Sequence, residues 1–415
     1  MKPRKIFHAD INNCFASIEI QHRPELRGLP VAVGGDAEKR HGVILAKSNE
    51  AKAFGVQTGE AIWEAKQKCP DLVIVPPHYT LYLQASRAFR AILADYTDLL
   101  EPFGLDEMWG DITHSWHLFA DSPETLVDEI RTRVHRELGI TVSIGLADNK
   151  IFAKLGSDYK KPDACTVITK ENYRDILWPL SAQDLLGVGR ATKAKLNRYG
   201  LVTIGDIART DPALLKSWFH KPGLYLHAYA NGRDTSPVRP AGHETAVKSV
   251  GNSVTTPRDL ENTRDCLLVF QHYAEVVAER LRELNLQCRT VQISLRDNGL
   301  TRFERQLTLP WPTHLSSEIL DASMRLLAAN YDFRKPLRSV GIRASNLVPS
   351  KHNAQLSLFQ SEAEIARMRR ENLEFAVDDI RRRYGRFAIR RASLLSDRQL
   401  GNLNPLPEGI VFDFG

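Results

Sequence analysis

Three carboxylates are the residues in this 415-residue sequence best suited to chemistry. Asp10 closes a short apolar run, Ile6–Asp10, that reads as a strand. Asp106 and Glu107 are adjacent, inside the segment Phe103-Gly-Leu-Asp-Glu-Met-Trp109. An aspartate at a strand end and an acidic pair on a later turn can converge on one point. Three oxygen donors there suit Mg²⁺, which is held by a few carboxylates together with substrate phosphates. Two such ions can activate an attacking hydroxyl and stabilise a leaving pyrophosphate. Acidic pairs also occur on solvated loops, but Leu105, Met108 and Trp109 set this one among apolar neighbours. Charge in that setting needs a compensating partner, and a metal ion is one.

The elements that must position these groups read as a mixed α/β pattern. Further strand-like runs are Pro30–Gly34 and Gly42–Ala46, with a helix over Glu60–Lys68. Leu81, Ala85, Phe89, Ile92 and Tyr96 predict a helix over 80–97. A strand runs from Leu105 through Trp109 to Asp111–Ile112. Ser122 and Pro123 look like the cap and first position of a helix to about Leu138, followed by a strand over Ile140–Leu146. From about 166 to 240 the strand signal fades into short helices punctuated by Gly187, Gly189, Gly200 and Gly205, and 234–247 reads as a linker. Residues 248–347 follow a β-α-β-β-α-β order with helices over 262–286 and 315–330. Gln292 and Ser294 alternate with Val291, Ile293 and Leu295, which predicts one buried face. The remaining tail carries one helical apolar stripe, Leu373, Val377, Ile380 and Tyr384. Its arginine run, Arg381-Arg382-Arg383-Tyr-Gly-Arg386, reads as a solvated face, with docking on the preceding module as the alternative.

Composition narrows the class. Hydrophobic residues at 43% and charged residues at 26% exclude wholesale disorder, and the length suggests two to four domains. The five cysteines form no CxxC pair, which fits a reduced cytosolic compartment better than a disulfide framework. No apolar run approaches the roughly 20 residues that span a bilayer, and the basic start lacks the apolar core of a signal peptide. The net charge of +6 is modest but uneven. Residues 1–165 hold 20 basic and 23 acidic side chains, whereas 166–240 hold 11 and 6.

Three segments resemble the Y-family translesion DNA polymerases of the bacterial DNA polymerase IV kind. They are His8-Ala-Asp10-Ile-Asn-Asn-Cys-Phe15-Ala-Ser-Ile-Glu19, Phe103-Gly-Leu-Asp106-Glu107-Met-Trp-Gly-Asp111, and Ser143-Ile-Gly-Leu-Ala-Asp-Asn149-Lys150 with Lys154 and Lys160-Lys161-Pro162. The resemblance implies an α+β multidomain, right-hand polymerase. Its palm would comprise 1–21 and 76–165, its small fingers 22–75, and its helical thumb, with a helix-hairpin-helix, 166–240. A β-α-β-β-α-β little finger would occupy 241–350, and a clamp-binding peptide and tail 351–415.

The same resemblance implies roles. Asp10, Asp106 and Glu107 would be catalytic and, with the carbonyl of Ile11, would hold two Mg²⁺ ions, with Mn²⁺ as a substitute. Phe15 would be the steric gate against a ribose 2′-OH, although Cys14 stands where relatives often have an aromatic residue. Lys161, with Lys160 as its neighbouring alternative, would contact the triphosphate, and Ala46 would leave room over the templating base. Asn49 and Lys52 stand where many relatives carry Tyr and Arg, which implies a weaker triphosphate grip. Lysine keeps the charge but loses the bidentate fork. Gly187, Gly189, Arg190 and Lys193 in the thumb, and Lys248, Arg296, Arg302 and Arg343 in the little finger, would contact DNA phosphates. Gln355, Leu356, Leu358 and Phe359 match a bacterial sliding-clamp peptide.

The implied function is low-fidelity, template-directed synthesis past damaged template. The chain would be a monomer acting on primer-template DNA and deoxynucleotides in a bacterial cytoplasm, on the nucleoid when active. The departures at Asn49 and Lys52 motivate a second reading, a DNA and clamp adaptor that has lost catalysis. A palm-fold nucleotide cyclase would also present an Asp and an acidic pair, but it has no need of the hairpin or the clamp peptide.

Overall fold

The structure, a computed structural model, describes residues 3–35, 42–243, 246–350 and 362–403. These form two compact units, one holding residues up to 35 and from 43 to 243, the other residues 246–350 and 362–403. No helix among the described residues is long and apolar enough to cross a membrane.

In the first unit β1 (Ile6–Ile11) leads through a left-handed Asn13 into α1 (Cys14–His22). There follow β2 (Val31–Gly34), β3 (Ile44–Lys47), α2 (Asn49–Ala53), α3 (Ile62–Lys68) and β4 (Val73–Val75). Then come α4 (Tyr79–Ala94), β5 (Leu100–Pro102), β6 (Glu107–Asp111), α5 (Pro123–Leu138), β7 (Val142–Ala147), α6 (Lys150–Tyr159) and β8 (Cys165–Val167). Five short helices complete the unit: α7 (Tyr173–Leu177), α8 (Arg190–Arg198), α9 (Ile204–Arg209), α10 (Pro212–Phe219) and α11 (Lys221–Ala230). The Ser122 cap is present, its hydroxyl accepting the Thr125 N–H at 3.1 Å. The strand expected from Leu105 begins two residues later, at Glu107. Gly104, at φ +105°, and the Phe103 N–H, which donates to the Glu107 carbonyl at 2.9 Å, close a turn that holds Asp106.

Five strands form a sheet in the order β5-β6-β1-β7-β8, with β1 at its centre. All six β1 residues are buried. Phe7, Ala9 and Ile11 join a core with Phe89 and Ile92 of α4 and Leu126 and Ile130 of α5. Ile6 joins a separate core with Ile151, Phe152 and Leu155 of α6. A strand covered on both faces reads as an unbroken apolar run. The polar residues His8 and Asp10 share the Ile6 side by strand alternation. At Gly145 helix α6 lies on β7 with no side chain between them. A Cβ at Gly145 would stand 2.0 Å from the Ala153 carbonyl oxygen and 2.4 Å from the Ser157 nitrogen. A smaller sheet, β3-β2-β4, has its own core of Ala32, Ile44, Ala51, Val56, Ile62 and Leu72.

The second unit has the expected β-α-β-β-α-β order: β9 (Ser249–Leu260), α12 (Thr263–Glu283), β10 (Leu286–Asp297), β11 (Arg302–Thr313), α13 (Ser316–Asn330) and β12 (Leu337–Pro349). The strands are antiparallel in the order β11-β10-β12-β9. Val291, Ile293 and Leu295 are fully buried in a core with α12 and α13, so Gln292 and Ser294 take the other face.

The tail corrects the sequence expectation. It forms α14 (Glu362–Tyr384) and α15 (Arg398–Gly401), but the apolar stripe faces outward, with Leu373 62% and Tyr384 75% exposed. The docking face is charged. Arg282 of α12, with a side chain only 4% exposed, donates to both Asp378 carboxylate oxygens at 2.6 and 2.9 Å and to the His314 carbonyl at 2.8 Å, and pairs with Glu374. The arginine run is divided, not solvated throughout. Arg381 pairs with Glu275 at 2.7 Å and Arg386 with Glu279 at 2.6 Å, while Arg382 and Arg383 stay exposed. Apolar periodicity finds helices docked by apolar surface and is blind to a helix docked by ion pairs. Leu394 and Leu400, beyond α14, reach the core of the unit.

Two substitutions test this packing. Asp378→Ala removes two of the hydrogen bonds of a buried guanidinium, leaving it Glu374 and the His314 carbonyl, and is expected to destabilise the second unit by about 1–3 kcal/mol in urea unfolding. Leu373→Ala, on the exposed stripe, should change it by less than about 0.5 kcal/mol. Gly145→Ala forces α6 off the sheet and is expected to cost the first unit at least about 1–3 kcal/mol, read as a lower Tm.

Candidate active site

Strand pairing brings the distant carboxylates together. Asp10 lies directly opposite Glu107 in the β1–β6 register, and the Ile11 N–H donates to the Asp106 carbonyl at 2.9 Å. Beside them opens a cleft of about 360 Å³. Asp10, Ile11, Asn13 and Asp106 line it from β1 and the two turns, Cys14 and Phe15 from α1, Leu45, Ala46 and Lys47 from β3, and Thr58 and Lys161 from loops.

Each acid meets a different environment. Lys161 Nζ sits 2.8 Å from Asp10 and 2.8 Å from Asp158, so Lys161 and not Lys160 is the lysine of the cleft. Even so, burial outweighs that pairing and pushes Asp10 up to about 6. Asp106 is also raised, by burial and then by the charge of Glu107. Glu107 goes the other way, to about 2, because His8 and Lys154 overcome its burial. Lys154 pairs with it directly, and His8 Nε2 stands 3.2 Å away. The Ser157 hydroxyl stands 2.8 Å from both the Lys154 carbonyl and His8 Nδ1. Ring orientation is thus set from α6.

Glu107 consequently turns away from the cleft lining, and among the described residues no three acidic, His or Cys side chains are grouped to hold a metal ion. The chain's own ammonium groups hold Asp10 and Glu107. The donor set nevertheless fits a hard divalent cation: carboxylate oxygens and a backbone carbonyl, with two carboxyls raised because their buried charge is undercompensated.

Phe15 stands at the cleft with its ring stacked on Tyr82 at 4.1 Å and edge-on to Tyr79 at 6.0 Å. Tyr82 is anchored in turn, its hydroxyl donating to buried Glu19 at 2.5 Å. Ala46 lines the cleft, but Asn49 and Lys52 do not. The Asn49 carboxamide oxygen accepts from Asn13 Nδ2 at 2.9 Å, and Lys52 is exposed on α2. In their place stand Lys47 and Thr58, 3.3 Å apart through Nζ and Oγ1. Neither was legible as a site residue. Lys47 ends a strand like any edge lysine, and nothing in the sequence marks Thr58. His8 had a usable signal, its place two residues before Asp10 on the same strand face.

Gly187, at φ +92°, and Gly189 precede α8, whose cap is Gly189 without a side-chain bond, and Arg190 opens the helix. Lys193 Nζ donates to Gln183 at 2.5 Å. In the second unit Arg296 pairs in register with Arg302 and Ser339, and Arg343 with Gln292 and Gly251, so the three arginines share the sheet face away from α12 and α13. Lys248 immediately precedes β9. Gln355, Leu356, Leu358 and Phe359 lie outside the described residues.

Known proteins share this fold and much of this sequence. The impB/mucB/samB family matches residues 9–158, and the impB/mucB/samB family C-terminal domain matches 247–358. DNA polymerase IV of Acetivibrio thermocellus is 46% identical over 400 residues, covering 96% of this chain and 100% of the relative. DNA polymerase IV 1 of Bacillus subtilis is 35% identical over 399 residues, covering 96% and 95%. A solved Y-family DNA polymerase chimera superposes with a TM-score of 0.73 at 22% identity, over 83% of this chain and 99% of that one. The right-hand Y-family fold and the near full-length likeness together place the chain in the impB/mucB/samB family, among the DNA polymerase IV proteins.

Proposed function

We propose that this chain, a DNA-directed DNA polymerase, extends a primer 3′ end by two-metal nucleotidyl transfer and copies damaged template with low fidelity. The observation that carries the reading is the one cleft that gathers Asp10, Asp106, Phe15 and Lys161. Asp10, Asp106, the Ile11 carbonyl and Glu107, released from Lys154, would hold Mg²⁺ or Mn²⁺, which supplies activation of the primer hydroxyl and neutralises the leaving pyrophosphate. The chain's own residues do the rest. Lys161 would exchange Asp10 for the triphosphate, as a flexible point charge suits phosphate. Phe15, held flat by Tyr82, would close the space that a ribose 2′-OH needs. Ala46 keeps the cleft open above the base pair, and that openness favours tolerance of distorted template.

We assign the palm to 1–21 and 76–165, the fingers to 22–75, the thumb to 166–240 and the little finger to 241–350. The free N–H groups at the start of α8, with Gly187, Gly189, Arg190 and Lys193, would grip duplex phosphates without reading sequence. Lys248, Arg296, Arg302 and Arg343 would do the same from the little-finger sheet. Gln355, Leu356, Leu358 and Phe359 would dock the chain, as a monomer, on a bacterial sliding clamp in the cytoplasm.

Primer extension tests the reading. The wild-type chain with Mg²⁺ should add deoxynucleotides, and Asp106→Ala should lower the rate by at least about a thousandfold, of the order lost with a transition-state charge stabiliser. Absence of wild-type extension would leave the adaptor reading. Phe15→Ala should admit ribonucleotides at least about tenfold better relative to deoxynucleotides, a shift of roughly 1.4 kcal/mol in discrimination, measured as a ratio of kcat/KM values.

A further inference from the structure

We propose that Lys47, with Thr58, grips the triphosphate of the incoming nucleotide from the fingers side, taking the place that Asn49 and Lys52 leave empty of contact; this rests on the polymerase reading above. The cleft is lined by acids, Asp10 and Asp106, so an anionic triphosphate needs cations to enter it. Two lysines line it. Lys161 is already paired with Asp10 and Asp158. Among the described residues Lys47 has no carboxylate within ion-pair reach, and its ammonium donates there only to the Thr58 hydroxyl at 3.3 Å. The acid nearest in effect, Glu60, is itself paired with Lys68. An ammonium has three donors, so two remain for phosphate oxygens.

Burial, and then the neighbouring charge of Lys52, push Lys47 below its ordinary value. A half-buried cation in that condition gains from an anion. Its base is rigid. Lys47 pairs with Ala32 across β2–β3, and the next residue, Ser48, accepts from the Val31 N–H at 3.1 Å and caps α2 through the Ala51 N–H at 3.3 Å. Thr58 is pinned from the other side, because the Gly59 N–H donates to the Ile44 carbonyl at 2.8 Å. The backbone at both residues is therefore anchored. Asn49 is engaged by Asn13, and Lys52 points out of the cleft lining.

The test is nucleotide binding without turnover. The full chain is assembled on labelled template with a dideoxy-terminated primer, and the matching deoxynucleotide is titrated in Mg²⁺. Lys47→Met, which keeps the aliphatic stem, should weaken binding about tenfold, the loss expected for one charge-assisted contact. With an extendable primer it should raise KM while kcat stays within about twofold, the mark of uniform binding. Lys47→Arg should recover most of the affinity, and Thr58→Val should show a smaller loss. Lys66→Met, on the exposed side of α3, removes the same charge and should bind as wild type. Wild-type affinity in Lys47→Met, or an equal or greater loss in Lys52→Met, overturns the assignment. Failure of the wild-type chain itself to bind nucleotide overturns the polymerase reading as well.

Discussion

Burying carboxylate charge at the end of a strand covered on both faces is costly unless partners stand beside it. In the first unit β1 carries His8 and Asp10 on one side and meets Glu107 across the sheet. The partners come from one place. Lys154 and Ser157 belong to α6, and Lys161 follows its end. They reach the acids because Gly145 lets α6 rest on the sheet backbone to backbone. The separation of acid and base is therefore set by main-chain contact, not by a side chain that drift could enlarge or shrink.

A second, quieter support runs behind Phe15. Glu19 on α1 is buried and accepts from both Tyr82 and His78, at 2.5 and 2.8 Å, so a hydrogen-bonded carboxylate ties α1 to α4. Tyr82 then stacks on Phe15. The ring at the cleft is thus located by a polar anchor two steps away, and Cys14 beside it need not supply aromatic packing.

The sequence was most informative where burial and geometry left one solution. Asp10 at a strand end, the apolar setting of Asp106 and the alternation of Val291, Ile293 and Leu295 all pointed to what the structure contains. It was least informative where charge does the packing. Leu373 and Tyr384 have helical spacing, yet Glu374, Asp378 and Arg381 make the contact, because α12 offers Arg282 and Glu275 in place of an apolar groove. Glu107 turns toward Lys154, a choice made by a partner far along the chain. Lys47 and Thr58 meet only because two chain segments converge on the cleft, and no local pattern records that.

The outer face of the four-stranded sheet has a consequence for motion. Arg296, Arg302 and Arg343 stand among Ser294, Ser339, Gly251 and Gly341, and at Gly341 even a Cβ would meet Ser253 and Ser294. Flexible cations project among mostly small neighbours, with Gln292 and Glu304 joined to each other on the same face and Glu304 paired with Arg302 at 2.7 Å. An anionic polymer lying on it would trade one ion pair for an equivalent one with each small displacement. Such a face would resist lifting more than it resists sliding.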